Sequence, residues 1–88
     1  MSAYLAPEEI TRRLHLVMDA ARDLPLRDVE QVEDLIEVGE RAVAFENLCT
    51  QIYEYDIKLS PDLRETLVSI GEQLGVAARY WNRLDFSG

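Results

Sequence analysis

The chain carries 88 residues, with 17 Asp+Glu against 9 Lys+Arg, a net charge of -8 at neutral pH. Apolar residues make up 48% of it, and the scaling of surface with mass gives a folded surface of roughly 5,300 Å², room for one core but not for a cofactor-binding α/β enzyme. The charge speaks against nucleic acid and anionic membranes, which need a positive surface, and for a basic protein partner.

The single Cys49 cannot form an internal disulfide, so nothing asks for an oxidising compartment. The stretch Met1 to Ile10 lacks the basic region and apolar run of a secretion signal. No stretch approaches the ~18 apolar residues of a membrane span. A soluble, cytoplasmic, single-domain protein is the expectation.

The first apolar series is Ile10, Leu14, Val17, Met18 and Ala21, which has helical period. Pro7 suits the first turn, and Glu8 and Glu9 favour the positive end of the helix dipole. Pro25 disfavours helical geometry at Leu24 and is expected to stop this helix. A second helix is expected from Asp28, with Asp28 and Gln31 as a capping box and Val29, Val32, Leu35 and Ile36 as its apolar stripe. Gly39 can take the left-handed conformation that ends it. The third helix runs from Glu40 or Arg41 to Tyr55 on Phe45, Leu48, Cys49 and Ile52. Ser60 and Pro61 open a fourth as cap and first-turn residue. Leu63, Leu67, Ile70 and Leu74 form its stripe, and Gly75 ends it. A short fifth segment sets Ala77, Tyr80, Trp81 and Leu84 on one face. No segment alternates like a strand. The fold class is therefore all-α: a small single-domain bundle of four helices plus a short C-terminal helix, packed round a shared core.

The charge is not evenly placed. Residues 28–57 hold nine acids (Asp28, Glu30, Glu33, Asp34, Glu37, Glu40, Glu46, Glu54 and Asp56) and one base, Arg41, which accounts for the whole excess. With Val29 at zero and about 100° per residue, Glu33, Glu37, Glu30 and Asp34 fall at about 40°, 80°, 100° and 140°. Four acids thus share one edge of the second helix, and within that helix no base lies four residues on to relieve them. Like charges at this spacing cost about 0.2–0.5 kcal/mol per pair. A merely solvated face would usually mix signs, so a partner-binding edge is the favoured reading.

Other candidates carry less. Tyr80 and Trp81 lie on the apolar face of their segment and read as core. Tyr55, at the flank of its helix, suits an interface anchor, and Glu54, opposite Phe45, is expected to be exposed. His15 falls on the polar flank of the first helix with no ligand pattern beside it, and Cys49 reads as a small buried hydrophobe. Gly71 and Gly75 do not make a phosphate loop, since no strand precedes them and no Lys-Ser/Thr follows. No nucleophile-and-base set assembles, so neither an enzyme, a cofactor nor a metal site is expected.

From Gly39 the chain reads Gly-Glu-Arg-Ala-Val-Ala-Phe-Glu-Asn-Leu-Cys, and from Tyr53 it reads Tyr-Glu-Tyr-Asp-Ile before Leu59 and Ser60. The Gly39-Glu40 pair, the segment Ala44 to Cys49 and the run Tyr53 to Ile57 resemble the MafI family of immunity proteins from bacterial polymorphic toxin systems. The resemblance covers about residues 33–74. It implies a small helical protein that binds the C-terminal effector domain of a cognate toxin inside the producing cell and blocks it. Toxins of such systems are often nucleases, basic around the active site. Glu30, Glu33, Asp34, Glu37, Glu40, Glu46, Glu54 and Tyr55 would then face that basic surface in a stoichiometric complex. The alternative is a helical adaptor or self-associating module docking through Tyr80, Trp81 and Leu84. Homo-oligomerisation is left open.

Overall fold

A computed structural model describes residues 4–88. The first three residues of the stretch read for a secretion signal lie outside them. The helices are α1 (Pro7–Ala20), α2 (Leu26–Glu37), α3 (Arg41–Glu54), α4 (Leu63–Leu74) and the short α5 (Arg79–Asn82). Among the described residues there is no strand, only an isolated bridge between Lys58 and Asp85. The all-α expectation holds. No described helix is long and apolar enough to cross a membrane.

α3 is the hub: α1, α2, α4 and α5 all pack against it. Its Ala44, Phe45, Leu48, Cys49 and Ile52 are fully buried, at the i, i+1, i+4, i+5, i+8 spacing that fills one helical face. They meet Leu14 and Val17 of α1, Val32 of α2, and Leu67 and Ile70 of α4 in one apolar cluster, and no polar residue among those described is buried. Burial of each Leu, Ile or Phe stabilises by roughly 1.5–3 kcal/mol. The accessible surface is 5444 Å², close to the value expected from mass.

Two helix ends differ from the sequence-based expectation. α1 ends at Ala20, well before Pro25, because Ala21 leaves the helical region at ψ 58. Ala21 and Leu24 are both buried, so the linker folds back onto the core. α2 begins at Leu26, two residues before Asp28. Extended Pro25, at ψ 143, is its cap, and the Pro25 carbonyl accepts from the N–H groups of Asp28 (3.0 Å) and Val29 (3.2 Å). Asp28 already lies within the first turn, so the Asp28–Gln31 capping box does not form. Ahead of α4, Ser60 Oγ accepts from the Asp62 N–H at 3.4 Å, but the regular helix starts only at Leu63.

Three helices close in the same way. After α2, Glu40 N–H bonds to Leu35 O (2.9 Å) and Gly39 N–H to Ile36 O (3.0 Å), with Gly39 left-handed at φ 84. This is the Schellman arrangement. Gly75 does the same for α4. At the end of α3 the left-handed position holds Asp56, at φ 51, with Ile57 N–H on Ile52 O.

The C-terminal segment is packed within the chain. Leu84 is buried, Tyr80 and Trp81 are half-buried, and Ala77 is exposed, which departs from its expected place on the apolar face. The Arg79 guanidinium lies over the Tyr80 ring at 5.2 Å. Leu59 N–H donates to Asp85 O (2.9 Å) and Gly88 N–H to Leu59 O (3.0 Å). The apolar residues on which the adaptor alternative drew are therefore largely engaged in the chain's own core.

Candidate functional site

α1 and α2 each pack on α3 more than on one another. An open cleft results between their outer sides, lined by Glu30, Glu33, Asp34 and Glu37 of α2 and by His15 of α1, with Ile36 as its apolar floor. All four acids are exposed. None has a hydrogen bond or ion pair among the described residues. Their common edge follows from helical period, because Val32 and Ile36 turn the neighbouring side of α2 into the core.

Three arginines of α1 and α3 are committed elsewhere. Arg12 donates to both carboxylate oxygens of Glu9, at 2.9 and 2.7 Å. Arg13 donates to Glu9 (2.8 Å) and to Ser69 (2.8 Å), and Arg41 Nε donates to Thr11 (2.9 Å). The two guanidinium groups hold Glu9 down at about 2. Together with Arg64, Leu16 and Val68, Arg12 and Arg13 line a second groove, between α1 and α4. None of these three arginines bonds to an acid of the cleft, and among the described residues His15 is the one basic side chain in its lining.

The remaining predicted residues do not join this cleft. Glu40, in the turn between α2 and α3, lines a different groove with Tyr4, Leu5, Arg41 and Gln73. Glu46 is half-buried on the flank of α3 that carries Cys49, which Arg83 approaches from the end of α5, two helical turns before Tyr53, whose ring lies 4.0 Å from the Arg83 guanidinium. Glu54 is exposed at the far end of α3, and Tyr55 caps that helix at 46% exposure. Tyr55 faces Asp28, and the carboxylate beside it pushes the Tyr55 hydroxyl above its ordinary range. Of the eight predicted residues, four acids line the cleft and the other four lie outside it. His15 was not among the predicted binding residues. Its signal in the sequence was its place on the polar flank of α1, but its position opposite the acids depends on how two helices pair.

Burial pushes the Cys49 thiol up to about 12, so it stays protonated and unreactive. Among the described residues no group of three or more His, Cys, Asp and Glu could hold a metal ion. What the arrangement offers chemically is a fixed, unneutralised negative edge. No family model matches the chain, and no curated protein or solved structure matches it either.

Proposed function

We propose that this chain is an immunity protein that captures a basic toxin effector domain, in keeping with the residues that resemble the MafI family, and blocks it by a stoichiometric complex. The observation that carries the reading is the edge of α2: Glu30, Glu33, Asp34 and Glu37 are exposed together without one ion pair among the described residues. Unrelieved like charges cost a helix stability, and a basic partner would offset that cost. A nuclease domain, whose active site must attract phosphate, offers such a surface. The acids would take the place of the substrate's charge and keep it out.

Size is compatible with this role. A standard interface takes about 800 Å² from each partner, about 15% of the 5444 Å² here. Complementary charge would speed association and make it salt-dependent. The test is co-expression with the toxic domain encoded beside this gene. Growth and a one-to-one complex are expected. Death of the cells with no complex overturns the reading.

A further inference from the structure

Three of the seven large apolar side chains that remain exposed among the described residues, Leu26, Tyr53 and Tyr55, stand at one end of the bundle. This is the end where α2 begins and α3 finishes. Leu26 is 72% exposed. Tyr55 faces Asp28, in the same helical turn as Leu26. Leu26 also precedes Glu30, Glu33 and Glu37 by four, seven and eleven residues, so it heads the same ridge as the acids. A lone exposed leucine is ordinary. A leucine and a half-exposed tyrosine at the head of an unpaired acidic ridge form an apolar spot with a charged surround, the layout of an interface anchor beside a polar rim.

Charge decides what covers this end. Asp28, Glu30, Glu54 and Asp56 surround it, against Arg27 and Arg83, and Arg83 is engaged with the Tyr53 ring. The ridge beyond adds Glu33, Asp34 and Glu37 with no base. A second copy would set -8 against -8, and an anionic polymer or membrane would be repelled. A basic protein surface with an apolar pocket is the matching occupant. We propose that Leu26 and Tyr55 are the apolar anchors by which this chain holds such a partner, while the α2 acids steer the encounter. The proposal rests on the toxin-capture reading and names the side chains that retain the complex once formed.

The roles separate kinetically, because exposed charges act mainly on association and desolvated anchors on dissociation. The experiment is binding kinetics with a catalytically disabled form of the adjacent toxic domain, for the wild type, Leu26→Ala, Leu26→Ser, Tyr55→Ala and a Lys replacement of the four ridge acids. Thermal melts establish that each variant is folded. We expect Leu26→Ala and Tyr55→Ala each to speed dissociation at least about tenfold and to leave association within about twofold. The ridge variant should slow association and flatten its salt dependence. Unchanged dissociation in the folded Leu26 and Tyr55 variants overturns the anchor and leaves toxin capture standing. Loss of self-association in Leu26→Ala, in place of an effect on the toxic domain, would make the occupant a second copy and also overturn it. If the wild type binds no toxic domain, both readings fall.

Discussion

Trp81 occupies the space that a side chain on Gly71 would need: a Cβ there would stand 2.8 Å from Cδ1 and 3.0 Å from Cε2 of the indole. The contact joins α5 to α4. In an unconstrained helix Gly71→Ala would stabilise by about 1 kcal/mol. Here the obstacle is a rigid ring, so displacement of α5 outweighs that gain. We expect a net loss of roughly 1–3 kcal/mol, read from the denaturant midpoint. The loss should shrink when Trp81→Ala is already present, because the two sites are in contact.

Asp56 holds the left-handed position that glycines hold after α2 and α4. A side chain there carries a backbone cost that glycine avoids. Asp56→Gly should raise stability by roughly 0.5–1 kcal/mol. Asp56→Asn separates the backbone effect from the removal of one negative charge. If Asn alone matches the glycine variant, the gain is electrostatic.

Glu9 titrates at about 2 in the fold, below its ordinary 4.5, through its hydrogen bonds to Arg12 and then Arg13. A carboxyl lowered by folding stabilises above its unfolded pKa and loses that contribution as pH falls through the folded value. The advantage of the wild type over Glu9→Gln should therefore be complete above pH 4.5 and gone near pH 2. Urea midpoints for both proteins across that window check it. A constant difference down to pH 2 would mean that the pair contributes through packing alone.

Cys49 is fully buried in the hub helix, with its thiol pushed up to about 12. Labelling by a thiol reagent at neutral pH should thus require the core to open. Its rate should track global stability across destabilised variants such as Phe45→Ala, for which a loss of about 3–5 kcal/mol is expected. Fast labelling of the native protein would show that α3 opens locally.

Helical period was enough to place the apolar stripes, since residues such as Leu14, Phe45 and Leu67 have no alternative face to occupy. Boundaries were less legible. Pro25 marks where α1 can no longer continue, yet the actual end comes from Ala21 and Leu24 turning into the core. Asp28 has the side chain of a cap, but the carbonyl of Pro25 takes that place. The four acids of α2 were legible as one edge because they lie on a single helix. Their relation to His15, Glu40 and Glu46 was not, because charge counted along a chain says nothing of which flank of α3 faces which neighbour.

α2 divides its duties by face. Val32 and Ile36 tie it to the core, while the side chains of Glu30, Glu33, Asp34 and Glu37 bond to nothing among the described residues. Substitution along that outer row leaves the packing around Phe45 untouched, and surface changes of this kind shift stability by only about 0.5 kcal/mol. The helix can therefore accept new chemistry on its outer row generation after generation without refolding. The interior and the outer row of α2 are thus uncoupled: what the row presents is not set by what the core must pack.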